Sequence, residues 1–475
     1  MKQIFWMELF IVMAIALSYM TRLCGGTSAC SPSTFGTIGS KNKDGALQFP
    51  VFHWKHPCLQ PSDSSSPAQL LHPDAAALLP ELQASPVVAD DTIHKGKFLM
   101  VISLGTPAIY NLVTIDTGST LSWVQCRPCQ VTCKTFAAEA GPTFDPRNST
   151  TYQRVACSSR DCAAAHELAG VPFGCEEETD TCLYSLRYGS GPLAQYSVGR
   201  LGKDRLGLTL ARELDDDALD YFIFGCSEDV RFGGREAGII GFGNDRLSFV
   251  NQVMTARQAT TSSNSYNAFS YCFPGDHNAR GFLSIGPYAR DDGLAFTNLV
   301  FGYGQDRSRR PFVYSLQQLD MAVDGRRLDV DDPQVYTAQM MIVDSGTQAT
   351  FLLAPVFDAL DKVVTAAMSD KGYARVELPN DEEHKVCFVV TTDTVVDWSD
   401  LPTVEMKFTG TTLKLPPQNA FNERFVDADC LLCMPFQPRD AGVSGVQILG
   451  NRVTRSFRVV FDLQVRMLGF QPDAC

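Results

Sequence analysis

The chain has 475 residues, enough for two large cores, and its 45% apolar and 20% charged content is that of a folded globular protein and not of a disordered one. A formal net charge of −13 at pH 7 argues against nucleic acid or an anionic membrane as partner, and it suits work in acid, where protonated surface carboxylates repel one another less. Sixteen cysteines behind a secretory leader imply structural disulfides.

In chain order, residues 1–29 read as a signal peptide. Lys2 supplies the positive start, Leu9–Leu17 a short apolar run, and Gly25–Ala29 a small-residue stretch for cleavage. The run is too short for a spanning helix, and an uncleaved anchor is the alternative. No other stretch is long and apolar enough to cross a membrane. Residues 30–90 precede the globular part. Pro61–Pro67 is rich in Ser and Pro, and Pro67–Ala84, rich in Ala and Leu, suits a helix. Strands are expected at Phe98–Ser103, Leu112–Ile115 and Leu121–Gln125, with a turn at Gly105-Thr106-Pro107. Leu183–Tyr188 and Tyr196–Leu201 read as the arms of a hairpin whose tip is Gly189–Gln195. Tyr221–Gly225 is a further strand, and Leu247–Met254 a short helix. Composition turns to Gly, Asp and Arg around Gly286–Arg310, which sets a boundary between 91–290 and 291–475. Beyond it, Phe312–Val323 and Gln339–Val343 read as strands. Pro355–Met368 has helical spacing, with Asp358 and Asp361 as solvated helix residues. Short strands with frequent Gly and Pro turns make the class all-β, with a few short helices.

Two stretches stand out. VTIDTGSTLSWVQC at Val113–Cys126 has a shorter echo in MIVDSGT at Met341–Thr347. In each, an apolar strand ends in Asp, followed by a small hydroxyl residue, Gly and a second hydroxyl residue. Gly accepts the backbone angles of a sharp turn, so the carboxylate is presented at the end of a buried strand. One such tetrapeptide is an ordinary turn. Two, 228 residues apart, suggest a duplication that brings Asp116 and Asp344 together across a two-fold axis. Close carboxylates cannot both ionise and share a proton, so one takes a proton from water while the other gives one to a carbonyl oxygen. Neither Asp is assigned a fixed role, because the two titrate as a pair.

With these residues the chain resembles the pepsin-type aspartic proteases, most closely the plant nepenthesin-like branch, from about Lys97 to the C-terminus. Trp123 stands seven residues after Asp116, as that family's active-site Trp does. Tyr188-Gly189-Ser190-Gly191 is similar to the flap-tip motif, and Ile239-Ile240-Gly241 and Ile448-Leu449-Gly450 to the segments beneath the catalytic strands. Gly450–Cys475 resembles the branch's C-terminal run, and Cys126–Cys182 its Cys-rich insertion. The resemblance implies a bilobal pepsin-like fold with two β-barrel-like lobes, 91–290 and 291–475, behind a prosegment at 30–90. It makes Asp116 and Asp344 catalytic, Tyr188 with Gly189 and Trp123 the flap and its support, and Ser119 and Thr347 supporting hydroxyls. Tyr196 is a rival for the flap role. The tip departs from the family's Tyr-Gly-Asp-Gly-Ser at Ser190 and Pro192. VFHWKHPC at Val51–Cys58 resembles a prosegment motif, with Lys55 as a candidate to face the catalytic carboxylates, although a solvated Lys55 is the plainer reading.

The resemblance also implies the disulfides Cys126–Cys129, Cys133–Cys226, Cys157–Cys182, Cys162–Cys175, Cys272–Cys475 and Cys387–Cys430, with Cys433 left over, either inert or competing for Cys387. Spacing alone fixes no connectivity. A zinc or redox reading of Cys126-Arg-Pro-Cys129 lacks a second CxxC or a His pair nearby. His166 is read as surface. No HExxH or GxSxG is present, so no metal, cofactor or serine nucleophile is expected. Asn148 heads the one glycosylation sequon. The expected protein is a secreted monomer, apoplastic or vacuolar, acting on peptide or protein substrates. The alternative is a non-catalytic member of the same fold that binds and inhibits another enzyme.

Overall fold

The computed structural model describes residues 40–41, 44–53, 97–133, 140–169, 174–189, 194–207, 218–234, 236–261, 266–275, 280–291, 293–301, 312–378, 385–390, 396–426, 429–439 and 446–475. They belong to one compact unit, residues 37–60 with 84–475; the other unit, 1–36 with 61–83, falls outside the described residues. Outside them too lie the expected signal peptide, Lys55, Cys58 and the hairpin-tip residues Ser190, Gly191 and Pro192. No helix among the described residues is long and apolar enough to cross a membrane.

The fold is all-β and bilobal, as expected; among the described residues helices are few, the longest being Arg160–Ala169, Phe249–Thr261 and Ala354–Asp370. One large sheet carries the first Asp motif. Starting from Ala268–Cys272, it runs through Arg280–Ile285, Leu47–His53, Phe98–Leu104 and Ile109–Asp116. It continues through Gly238–Gly241, Trp123–Gln125, Leu219–Arg231 and Gln195–Gly207 to Thr181–Tyr188. The C-terminal strands Arg458–Asp462 and Met467–Gln471 extend it on the other side of Ala268–Cys272. A second sheet carries the other motif, in the order Tyr314–Leu316, Met341–Val343, Gln447–Leu449, Thr350–Leu353, Phe436–Arg439. The strand that ends in Asp116 is buried from Asn111 onward, which is why it reads as a continuous β-preferring run and not as an alternating one.

The expected hairpin arms are present and longer than the sequence indicated. Thr181–Tyr188 pairs with Gln195–Gly207, which in turn pairs with Leu219–Arg231. A further strand, Leu47–His53, falls inside the stretch expected to be a prosegment. It lies between Arg280–Ile285 and Phe98–Leu104, with Leu47, Phe49 and Val51 at 1%, 2% and 0% exposure. Burial of each such side chain is worth about 1.5–3 kcal/mol.

The disulfides correct the pairing implied by resemblance. Among the described residues the bridges are Cys126–Cys226, Cys129–Cys133, Cys157–Cys175, Cys162–Cys182, Cys272–Cys475 and Cys387–Cys433. Only Cys272–Cys475 is as expected. The reason is register. Trp123–Gln125 runs parallel to Leu219–Arg231 with Val124 opposite Cys226, which brings Cys126 alongside at a Cα separation of 5.3 Å. In the second lobe Cys387 lies directly across from Cys433, 4.0 Å between Cα atoms. Cys430 is three residues away on the same strand, so it points to the other face. Among the described residues Cys430, not Cys433, is the free thiol.

Candidate active site

Each motif is held by an apolar-apolar-Gly strand laid parallel beneath it. Gly238–Gly241 pairs with Val113–Asp116, and Gln447–Leu449 with Met341–Val343. Gly241 and Gly450 sit where the chain crosses itself. A Cβ on Gly241 would stand 2.2 Å from the Thr120 carbonyl oxygen, and one on Gly450 2.3 Å from that of Ala349. The Gly241 N–H donates to Ser122 Oγ at 3.0 Å and the Gly450 N–H to Thr350 Oγ1 at 3.2 Å, in the equivalent position of the other motif.

The two halves meet through the second residue of each motif. Thr117 Oγ1 donates to the Val343 carbonyl oxygen at 2.9 Å, and Ser345 Oγ donates to that of Ile115 at 3.0 Å. In return, the Thr117 N–H donates to Ser345 Oγ at 3.0 Å and the Ser345 N–H to Thr117 Oγ1 at 2.9 Å. Thr117 and Ser345 are 0% and 1% exposed. Buried bonds of this kind, fully satisfied on both sides, fix the separation of the strands. Neither residue is among the site residues expected from the sequence. The signal for them was there: a hydroxyl residue in the same place in both motifs.

The carboxylates are held alike. The Gly118 N–H donates to Asp116 Oδ1 at 2.8 Å and Ser119 Oγ to Asp116 Oδ2 at 2.5 Å. The Gly346 N–H donates to Asp344 Oδ1 at 2.8 Å and Thr347 Oγ1 to Asp344 Oδ2 at 2.7 Å. Each outer oxygen is thus anchored by a hydroxyl, and the inner oxygens face one another. A Cβ on Gly118 would stand 2.7 Å from Asp344 Cγ, and one on Gly346 2.5 Å from Asp116 Oδ1. Only glycine lets the two carboxyl groups come this close. Burial first, and the neighbouring Asp344 charge second, push the Asp116 carboxyl up from its ordinary value to about 8. The pair therefore carries a proton through acid and neutral pH.

Tyr188 closes one side. The Trp123 indole N–H donates to the Tyr188 hydroxyl at 2.8 Å. The Tyr188 ring stands edge-on to Phe232 with centroids 5.1 Å apart, and Phe232 in turn stands 5.5 Å from Trp123. Burial, with the Asp116 charge behind it, keeps the phenol well above its usual titration range, so it stays a neutral donor. Gly189, just past it, has φ +74°, a conformation that favours Gly at the start of the tip. Tyr196 lies directly across from Arg187, one position from Tyr188, and so faces the other side of the hairpin. There its hydroxyl donates to Asp229 at 3.2 Å. Of the other residues singled out in the sequence, His166 stands with Nε2 3.4 Å from Cys162 Sγ, beside the Cys162–Cys182 bridge. Asn148 is exposed at the end of a short 3-10 turn, Pro146–Asn148.

Two family models match the chain: one described as xylanase inhibitor N-terminal over residues 98–287, the other as xylanase inhibitor C-terminal over 313–472. A probable aspartic protease of Arabidopsis thaliana is 29% identical over 416 residues, 83% of each chain. The aspartic proteinase nepenthesin-2 of Nepenthes gracilis is 27% identical, over 82% of this chain and 80% of that one. Among solved structures, that of edgp superposes with a TM-score of 0.61 at 15% identity, covering 81% of this chain and 92% of that one; at that identity the likeness concerns the fold alone.

Proposed function

Because the chain belongs to the pepsin-type aspartic protease family of plants, we propose that it is an endopeptidase that hydrolyses peptide bonds through the Asp116–Asp344 pair. The observation that carries this reading is the pair itself: two carboxylates in matching hydrogen-bond cradles, inner oxygens facing, one held protonated by burial. One carboxylate removes a proton from a water molecule as its oxygen bonds to the peptide carbonyl carbon. The other gives its proton to the carbonyl oxygen. Breakdown of the tetrahedral species returns a proton to the leaving nitrogen, and the C–N bond breaks. Tyr188 covers the reacting atoms and excludes water, with Trp123 holding its hydroxyl. An extended substrate is recognised along its main chain, with side-chain pockets supplying preference.

The shared proton suits acid to neutral pH. We take residues 1–29 as a secretory signal and 30–90 as a prosegment, with glycosylation at Asn148 and a final location outside the cell or in the vacuole. The description of the matching family models favours one other reading, a non-catalytic protein that binds and inhibits another enzyme. Digestion of an unfolded protein at acid pH, with and without a transition-state peptide inhibitor of aspartic proteases, decides between them. Inhibitor-sensitive cleavage supports the endopeptidase. Absence of cleavage by the correctly folded and processed chain overturns it.

A further inference from the structure

Cations that this chain draws in from its surface are matched by carboxylates. Lys97 pairs with Glu236 at 2.7 Å, Arg200 lies between Glu176 and Glu228, and Arg458 stands 3.8 Å from Asp291. Arg455 is not so matched. Among the described residues no carboxylate pairs with it, and its Nε is shut off from solvent without a hydrogen-bond partner. Burial first, and then the charge of Arg452 three residues before it, push the Arg455 guanidinium down from its ordinary value to about 9. Arg452 is itself only 6% exposed and donates through Nη2 to Gln348 Oε1 at 2.8 Å. The two arginines flank one tight turn: Arg452 opens the 3-10 stretch Arg452–Thr454, and Arg455 is the residue that ends it.

The backbone keeps Arg455 where it is. Asn419 Nδ2 donates to the carbonyl oxygens of Val453 and Arg455 at 3.0 and 2.8 Å, and the Ser456 N–H donates to that of Phe273 at 2.7 Å. Val453 and Phe457, at 0% and 4% exposure, anchor the stretch on both sides. A guanidinium held in this way has lost water and gained no counter-charge, and a buried charge is tolerated when an anion neutralises it. The residue as a whole remains partly exposed, which leaves a small ion a way in. Two guanidiniums call for two negative charges, and their planar forks match the edges of an oxyanion. We propose that Arg455, together with Arg452, forms a binding site for a small doubly charged oxyanion of the sulfate or phosphate kind. The site is separate from the Asp116–Asp344 pair. Bound there, the ion neutralises two like charges that otherwise repel, so its effect is on the stability of the folded chain.

The test is the binding of sulfate, whose charge is constant through acid and neutral pH, to the full chain at fixed ionic strength. Equilibrium dialysis is expected to find one sulfate per chain. The melting temperature is expected to rise with the logarithm of sulfate concentration once the site is filled. Phosphate acts alike, and acetate, with a single charge, acts little. Arg455→Met is expected to weaken sulfate binding about tenfold or more, the worth of a hydrogen bond to a charged group. Arg455→Lys keeps the charge and loses the fork; it weakens binding less, and it decides the matter should the Met variant not fold. Arg326→Met, at an exposed position, changes nothing. The proposal is overturned if sulfate does no more than chloride at equal ionic strength, or if acetate does as much as sulfate. It is overturned as well if the Arg455 variants bind sulfate as the wild-type chain does, or if Arg326→Met loses as much binding as they do. Because the readout is ion binding and not proteolysis, the outcome is independent of whether the Asp pair is catalytic.

Discussion

The Asp116 and Asp344 motifs are built to one backbone plan and finished with different side chains. Seven residues after Asp116 stands Trp123, opposite Ile239; seven after Asp344 stands Phe351, opposite Ile448. The indole has an N–H, and it donates to the Tyr188 hydroxyl. The Phe351 ring has none, and Arg439 lies over it with its guanidinium carbon 4.7 Å from the centroid. Asp116 is buried at 5% exposure, whereas Asp344 is only partly buried. The repeated backbone plan thus makes the two carboxylates alike, and a single difference in side chain on that frame, Trp123 against Phe351, makes their surroundings unlike.

The largest break in this symmetry comes from the carboxylates themselves. Asp116→Asn and Asp344→Asn are each expected to lower kcat/KM by about a thousandfold or more with the fold intact, since general acid–base catalysis is worth 10²–10⁴. Equal losses from either side mark a true pair. A folded variant that keeps a tenth of the activity breaks the mechanism.

Removing the covering ring comes next. Tyr188→Ala is expected to lower kcat/KM about a hundredfold, chiefly through kcat, as for a group that acts in the transition state. Tyr196→Ala, on the opposite face, should change it by less than about twofold. The reverse ranking assigns the flap to Tyr196.

The difference in burial has a pH signature. The Asp116 carboxyl titrates at about 8 in the folded chain against an ordinary 3.8 when unfolded. Between those values the folded state keeps a proton that the unfolded state releases. The contribution to stability is therefore whole below about pH 4 and is lost as pH rises toward about 8. Melting temperatures taken across that range should fall, and Asp116→Asn should flatten the slope. An unchanged slope in the variant removes Asp116 as its source.

The smallest effects distinguish Trp123 from Phe351. Trp123→Phe removes one hydrogen bond, worth about 0.5–1.5 kcal/mol, so kcat/KM should fall up to about tenfold. Phe351→Leu, at the equivalent position, should leave kcat/KM within about twofold and lower the melting temperature slightly through the lost cation–π contact. Equal losses of activity from both would mean that the two positions only pack.

What depends on short stretches of chain was legible in the sequence. It placed Asp116 and Asp344 at the ends of apolar strands, displayed the same Asp-hydroxyl-Gly-hydroxyl pattern twice, and marked Tyr188 on the arm of a hairpin. Gly-and-hydroxyl turns and β-preferring runs are local, so their outcome is legible residue by residue. The crossing bonds of Thr117 and Ser345, the choice of Cys433 over Cys430, the side of the hairpin on which Tyr196 falls and the place of Leu47–His53 inside the sheet were decided only by the tertiary structure. Each depends on which residue of a distant strand lies opposite. A shift of one residue in that register turns every side chain to the other face, and no pattern within a single strand records its partner.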